Sequence, residues 1–171
     1  MSDYGKGAID GHVASQVRAL ALPTFVDVKV RPDRWVEWCE CAFPNEREYL
    51  LHKPDYQQAK RVVVKCSARG AMLIKDGVRH RAIPSQARHV KNVAGAGDTV
   101  VAAFTTSYMA LKALGHASRS STSLQLAMHF AGEAVEQELT AAPTFADVYL
   151  DMSPSSDFWR IAHRVEEELK K

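Results

Sequence analysis

Apolar residues in the first third of the chain follow a helical spacing and then a strand-like one. Residues 12–22 place apolar side chains three or four positions apart, which predicts an amphipathic helix. Pro23 ends that helix, and the run TFVDV at 24–28 has the β-branched and aromatic content of a strand. Helical spacing returns over residues 46–53. The order predicted here is helix, strand, helix.

The following segment has the pattern of a β-hairpin. RVVVK at 61–65 and AMLIK at 71–75 are short continuous apolar runs, as in buried strands. Asp76 and Gly77 separate AMLIK from VRHRAI at 78–83, and an Asp-Gly pair between strands favours a two-residue turn. We therefore expect three strands in this segment, the last two joined by a tight turn.

Helical spacing dominates the second half of the chain, in three segments: 98–114, 123–138 and 158–169. Gly115 suits the position just after the first of these helices, and Asp157 suits the N-cap of the last. The polar run SRSSTS at 118–123 predicts a loop. Strands alternating with helices predict an α/β fold, in which helices cover a sheet.

Composition narrows the class of protein. The chain has 171 residues, of which 46% are hydrophobic and 25% charged, as in soluble globular domains. A formal charge of +2, spread along the chain, argues against a nucleic-acid partner. No apolar run is long enough to cross a bilayer, so we expect no membrane contact. Cys39, Cys41 and Cys66 are expected to be reduced thiols, rather than zinc ligands or a disulfide, in a cytoplasmic protein.

The stretch GAGD at 95–98 is the strongest candidate for chemistry. Gly95 and Gly97 allow a tight turn with uncovered backbone N–H groups, and an apolar helical run follows. The first N–H groups of a helix have no internal partner and attract anions, phosphate above all. Asp98 is either an N-cap or a carboxylate held beside the bound anion. The alternative is a capped helix after a tight turn with no ligand.

Several motifs, taken in order, carry a resemblance to a known family. They are SDYGKG at 2–7, VDVK at 26–29, PNEREYL at 44–50 and IPSQARHVKNVAGAGDTVVAAF at 83–104. In this order they resemble the C-terminal half of a PfkB-type (ribokinase-like) carbohydrate kinase, and most of all heptose-phosphate kinase domains. The resemblance implies a ribokinase-like layered sheet with flanking helices. It predicts a truncated α/β domain over 1–150 and a helical extension over 151–171.

The resemblance implies a phosphoryl-transfer site at GAGD. In such kinases the aspartate of this motif takes the proton from the sugar hydroxyl, a role that falls on Asp98 here. The N–H groups of Gly95, Ala96 and Gly97 would then form the anion hole for the transferred group. ATP is the implied phosphate donor, and a sugar phosphate the implied acceptor.

The same resemblance implies residues that bind the nucleotide and its Mg²⁺. Asn45 and Glu48 fit the family's Asn-x-x-Glu motif, which is linked indirectly to magnesium and phosphate. Without the resemblance they are ordinary polar residues at a helix start. Lys29 could reach a phosphate as a point charge, although a solvated lysine is the alternative.

Two further segments match the family's nucleotide-binding motifs only in part. The pattern Thr-x-Gly-x-x-Gly appears here as residues 65–70, so Lys65, Ser67 and Gly70 take the nucleotide-binding positions and only the last glycine is kept. Asn92 stands before GAGD where the family usually has an aspartate. A carboxylate near the phosphates is therefore replaced by an amide.

Two functions of different class follow. The first is an ATP-dependent sugar kinase, which could require a partner because the resemblance covers only half of the family's fold. A half sheet exposes an edge, so we expect a second copy or another protein to cover it. The second is a catalytically inactive, kinase-derived module that binds protein partners. Stabilisation by MgATP would favour the first.

Overall fold

Six strands form one sheet whose spatial order is the order of the sequence. β1 to β4 are parallel neighbours, and β4 pairs with β5 in the antiparallel sense. β1 and β6 are the two edges. The strands are β1 (Ser2–Asp3), β2 (Phe25–Val28), β3 (Cys41–Ala42), β4 (Arg61–Lys65), β5 (Ala71–Lys75) and β6 (Val78–Ile83).

The computed structural model describes residues 1–140, 142–150 and 153–171. They form two compact units, Met1–Ala82 and Ile83–Lys171. None of the helices in the described part of the chain combines the length and the apolar character needed to span a membrane.

Three helices accompany the sheet in the first unit: α1 (Gly11–Ala19), α2 (Glu46–Leu51) and α3 (Lys53–Tyr56). α1 begins where Asp10 accepts hydrogen bonds from the N–H groups of His12 and Val13, both at 2.9 Å. It ends at Ala19, three residues before the predicted end. The helical spacing of 12–22 and 46–53 is thus confirmed in type, with shorter elements.

The core of the first unit lies on β2 and β4. Phe25–Val28 are buried throughout, and so are the first four residues of β4. Continuous apolar runs are what a parallel sheet covered on both faces requires, so the predicted buried strands are confirmed. Side chains that meet in this core include Val26, Val28, Trp35, Tyr56, Val62, Val64 and Ile74.

The turn between β5 and β6 is the predicted hairpin turn. Asp76 and Gly77 both have positive φ, 48° and 75°. Two successive residues with positive φ match the twist of the flanking strands, which is why an Asp-Gly pair predicted this turn correctly.

The second unit is helical. α4 (Ala96–Ala113) packs along α5 (Arg119–Glu136), and α7 (Asp157–Leu169) contacts both α4 and the short α6 (Phe145–Tyr149). The three predicted helices are confirmed, whereas α6 was not predicted. The buried side chains that hold this unit together include Ala110, Leu111, Leu126, Phe130, Val148, Ala162 and Val165.

Two local predictions in this unit are wrong. SRSSTS at 118–123 is not a loop, because α5 already begins at Arg119 and the four residues from Ser120 to Ser123 are buried. Small hydroxyl side chains allow close packing there, which their polarity alone did not indicate. Asp157 is not an N-cap either: the N-cap of α7 is Ser156, whose Oγ accepts from Trp159 N–H at 3.1 Å.

The predicted domain boundary between residues 150 and 151 stays a prediction. Asp151 and Met152, which would begin the extension, lie outside the described residues, as does Ala141. The predicted helix of that extension is α7.

Candidate active site

Gly95 shapes the loop that opens α4. Its φ is 80°, a left-handed conformation that favours glycine, and it is the N-cap of the helix. Its carbonyl accepts from both the N–H and the hydroxyl of Thr99, at 2.8 and 3.0 Å. Ala96 N–H donates to Val93 at 3.3 Å, whereas the N–H groups of Gly95 and Gly97 find no acceptor among the described residues. Two uncovered donors at the positive end of an 18-residue helix can hold an anion.

Asp98 is the third residue of α4, so the N-cap alternative for it is wrong. Its side chain is exposed and borders a cavity of about 450 Å³. A solvent-accessible carboxylate beside uncovered N–H groups is the pairing that proton removal next to a bound phosphate needs. The cavity is also lined by Gly95, Thr99, Thr106, Phe130, Thr140 and Phe145.

Two aromatic rings form the apolar part of this cavity. Phe130 of α5 and Phe145 of α6 meet edge to face, with ring centroids 5.0 Å apart. Phe145 is placed by a capping box, in which Thr144 N–H donates to Asp147 Oδ2 at 2.7 Å and Asp147 N–H to Thr144 Oγ1 at 3.4 Å. Sequence patterns did not indicate this wall, although the spacing Thr-x-x-Asp is a capping-box signal.

Asn92 is bound to the protein on both ends of its amide. Its Nδ2 donates to the carbonyl of Glu138 at 3.3 Å, and its Oδ1 accepts from Ala94 N–H at 2.9 Å. This side chain therefore fastens the GAGD loop to the segment that follows α5. Its predicted contact with nucleotide stays a prediction.

In the first unit, Asn45 and Glu48 form a complete capping box at the start of α2. Asn45 N–H donates to Glu48 Oε2 at 2.7 Å, and Glu48 N–H donates to Asn45 Oδ1 at 2.8 Å. The Asn-x-x-Glu spacing thus has a structural use in the folded chain, whatever it binds.

A buried carboxylate, Asp27, lies between two lysines near this cap. Lys29 Nζ is 2.8 Å from Asp27 Oδ1, and Lys65 Nζ is 2.9 Å from Asp27 Oδ2. The Asp27 side chain is only 3% exposed. The sequence analysis did not single out Asp27 as a site residue. Its position inside an apolar strand was a usable signal, because a buried charge requires a partner.

The two lysines respond differently to the same partner. Burial works against the charge of Lys29, but hydrogen bonding and attraction to Asp27 outweigh it and the pKa of Lys29 is raised. Burial dominates at Lys65, whose side chain is 13% exposed against 28% for Lys29, so the pKa of Lys65 is lowered. Lys29 therefore keeps its positive charge to a higher pH than Lys65 does.

Both carboxylate oxygens of Glu48 have partners within the chain. Oε2 accepts from Asn45 N–H in the cap, and Oε1 lies 3.7 Å from Lys29 Nζ. Within the described residues, no three His, Cys, Asp or Glu side chains are grouped to hold a metal directly. The indirect role in Mg²⁺ binding that the resemblance implies for Asn45 and Glu48 stays a prediction.

A tight turn follows β4 where the family has its Thr-x-Gly-x-x-Gly motif. Ser67 has a φ of 51° and Gly70 a φ of 89°. Cys66 N–H donates to the Gly70 carbonyl at 2.8 Å, which closes the turn. Ser67 therefore has a left-handed backbone that usually favours glycine, at the position where the family's motif has one.

The cysteines add no reactive group. Cys39 and Cys41 are buried free thiols, and burial raises the pKa of Cys39 to about 12. Cys66 is a free thiol as well, and burial raises its pKa. That all three are reduced thiols, rather than zinc ligands or a disulfide, stays a prediction.

The α/β fold of this chain is the ribokinase-like fold, and the sequence comparison identifies the family. The profile of the pfkB family carbohydrate kinases matches residues 23–146. The chain belongs to this family, which confirms the resemblance. The bifunctional protein HldE of Rhodospirillum rubrum is 33% identical over 171 residues, covering 86% of this chain and 33% of that protein.

Solved structures confirm the fold. Arabidopsis thaliana ribokinase complexed with ribose and ATP aligns with a TM-score of 0.64 at 21% identity, covering 84% of this chain and 52% of that one. A Vibrio cholerae fructokinase double mutant in its fructose, ADP and potassium ion bound form aligns with a TM-score of 0.67 at 18% identity, covering 83% and 54%. The chain thus spans about half of these structures, and 28% to 35% of the curated relatives that it matches.

Proposed function

We propose that this chain carries the phosphoryl-transfer site of an ATP-dependent sugar kinase, with Asp98 as the catalytic base. The observation that carries the proposal is the exposed Asp98 carboxylate at the border of a cavity whose rim includes the left-handed Gly95. Family membership and the ATP-bound ribokinase of the same fold support it. The acceptor is a sugar or heptose-phosphate hydroxyl.

The proposed step uses the chemistry of both features. Asp98 takes the proton of the acceptor hydroxyl as its oxygen bonds to the γ-phosphorus, and the bond from that phosphorus to the bridging oxygen of ADP breaks. Negative charge on the transferred group is stabilised by the uncovered N–H groups of Gly95 and Gly97. Asn45 and Glu48 would hold Mg²⁺ through water, and the ion would neutralise phosphate charge.

In the first unit, Lys29 is the proposed phosphate contact. Its ammonium is partly exposed, and Asp27 keeps it charged by raising its pKa. Lys65, Ser67, Gly70 and Asn92 stay proposed nucleotide-binding positions that rest on the family's motifs. Lys65 is more buried than Lys29, so we propose that its first role is to pair with Asp27.

The test is ADP release from MgATP with ribose, fructose and a heptose phosphate as acceptors. Asp98→Asn is expected to lower turnover about 10²- to 10⁴-fold, because general-base catalysis typically contributes that factor. MgATP affinity should change little. Asp157→Asn is the matched control, since Asp157 is also an exposed aspartate in the first turn of a helix. Equal turnover by wild type and Asp98→Asn would contradict the role of Asp98.

A second function has its own support in exposed apolar side chains of the first unit. Tyr4, Leu20 and Leu22 are 57%, 63% and 64% exposed, and β1 is an edge strand. A protein partner or a second copy that covers these side chains or the β1 edge would suit an inactive, kinase-derived module. MgATP that leaves the melting temperature unchanged, together with self-association in light scattering, would favour this function over catalysis.

A further inference from the structure

The GAGD loop is fastened to the end of α5 by its own backbone and by one side chain. The N–H groups of Lys91 and Asn92 both donate to the carbonyl of Val135, at 2.8 and 3.1 Å. Three residues after Val135, in the segment 138–140 that follows α5, the carbonyl of Glu138 accepts from the Asn92 side chain at 3.3 Å. The backbone bonds to Val135 and the side-chain bond to Glu138 together form a junction between residues 91–92 and the end of α5.

The contact at Gly95 makes this junction matter for the loop. A Cβ placed on Gly95 would lie 3.1 Å from Cγ2 of Thr140, which shows how closely the two segments approach. Thr140 and Gly95 also border the same cavity. A shift of the segment 138–140 would thus move the uncovered N–H groups of the GAGD loop.

The amide of Asn92 is suited to both of its partners. Nδ2 donates to the Glu138 carbonyl, while Oδ1 accepts the N–H of Ala94 at 2.9 Å. A carboxamide has a donor end and an acceptor end without net charge, whereas an aspartate would offer acceptors alone. Asparagine thus satisfies the junction with no further group.

Potassium is bound in the fructokinase structure of the same fold, which raises the question of whether this junction could take that ion. Potassium is bound by oxygen atoms, often backbone carbonyls. Here the Glu138 carbonyl faces an N–H donor, and the Val135 carbonyl already accepts two N–H groups. A cation approaching Glu138 would meet the amide protons of Asn92. These residues do not fit a potassium ion.

We propose that Asn92 is a positioning residue whose neutral amide holds the GAGD loop against the segment 138–140, so that the loop keeps its shape without a monovalent cation. An aspartate at this position would require such a cation. One of its oxygens would keep the Ala94 N–H, and the other would face the Glu138 carbonyl without a proton between them. Two facing oxygens repel each other unless a cation lies between them.

Melting temperatures of the full chain test this directly, in potassium, sodium and tetramethylammonium chloride at equal ionic strength. Wild type should melt within about 1 °C in all three. Asn92→Asp should melt about 3 °C lower in tetramethylammonium, the scale of one lost hydrogen bond, and regain at least half of that in potassium. Gln137→Glu makes the same amide-to-carboxylate change at an exposed neighbour and should show no potassium-specific gain.

A third variant, Asn92→Ala, removes the amide without offering oxygen. It should lose stability equally in all three salts. A potassium-specific gain in wild type as large as that of Asn92→Asp would overturn the proposal. So would an Asn92→Asp variant that responds to potassium no more than Gln137→Glu does.

The consequence for nucleotide binding rests on the proposed function and is measured separately. Wild type should bind MgATP with affinities that agree within about twofold with and without potassium, while Asn92→Asp should bind more weakly without it. Binding by wild type in potassium alone would overturn the proposal. If wild type binds no MgATP in any salt, the proposed kinase function fails, and the melting temperatures still decide the role of Asn92.

Discussion

In the first unit, Asp27 holds the ammonium groups of Lys29 and Lys65 at 2.8 and 2.9 Å, whereas in the second unit the loop at Gly95 leaves backbone N–H groups uncovered. The first region is built from side chains that already satisfy one another. The second is built from backbone, and its N–H donors have no acceptor among the described residues. Charge that is internally paired supports the fold, and donors without a partner are available to a ligand.

Substitutions in the two regions should therefore have different effects, one on stability and the other on ligand binding. Removing one charge from the cluster of Asp27, Lys29 and Lys65 should mainly lower the free energy of unfolding, because the remaining charges stay partly buried. Covering the loop donors should damage binding first, because the fold does not depend on them.

Asp27→Asn should destabilise the chain by about 3 kcal/mol, because it leaves two lysines close together without their carboxylate. Urea unfolding followed by circular dichroism measures the loss. The double variant Asp27→Asn/Lys65→Met, which also removes the more buried ammonium, should recover part of it. A loss below about 1 kcal/mol for Asp27→Asn would mean that the cluster is solvated and not structural.

Gly132→Ala tests the packing of the second unit away from the loop. A Cβ on Gly132 would lie 3.1 Å from Ala87 N and from Gln86 C, both backbone atoms that cannot rotate away. We expect a loss of about 2 kcal/mol, as for other overpacked sites. Gly11→Ala, in a helix with open space around the glycine, should cost nothing and is the control. Equal melting temperatures for the two variants would contradict the close approach.

The sequence indicated the backbone-built features better than the side-chain-built ones. Glycines at a helix start and an Asp-Gly pair between strands have local conformational causes, so the loop at Gly95 and the turn at Gly77 could be predicted. The pairing of Asp27 with Lys65 joins residues 38 positions apart, and its existence depends on the alignment of neighbouring strands. No local pattern carries that information.

Errors in the helical half have a similar origin. The burial of Ser120 to Ser123 depends on how closely helices pack, which polarity alone does not reveal. Ser156 and Asp157 are both good N-cap residues, and a difference of one position lies within the uncertainty of helix ends. The order of motifs, by contrast, carried enough information to predict the family and the fold.

The smallest predicted change is a gain in stability. Ser67 has a φ of 51°, which costs a residue with a Cβ about 1 kcal/mol, so Ser67→Gly should stabilise by roughly 0.5 kcal/mol after the extra freedom of glycine in the unfolded chain. Ala68→Gly, at the next position of the same turn, should destabilise instead, since Ala68 has no positive φ. Thermal unfolding of the two variants gives opposite shifts if the turn is strained as described.

Calorimetric titration of MgATP into the chain, beside Gly97→Val, decides whether the loop at Gly95 is a phosphate site. Gly97 has no positive φ, so valine should leave the backbone unstrained while its bulk covers the loop donors. Gly11→Val, a glycine-to-valine change at the open first turn of α1, is the matched control. We expect binding by wild type and Gly11→Val, and a loss of at least about tenfold in affinity for Gly97→Val. Equal affinity in all three proteins, or no binding by wild type, would contradict the claim that this loop is a phosphate site.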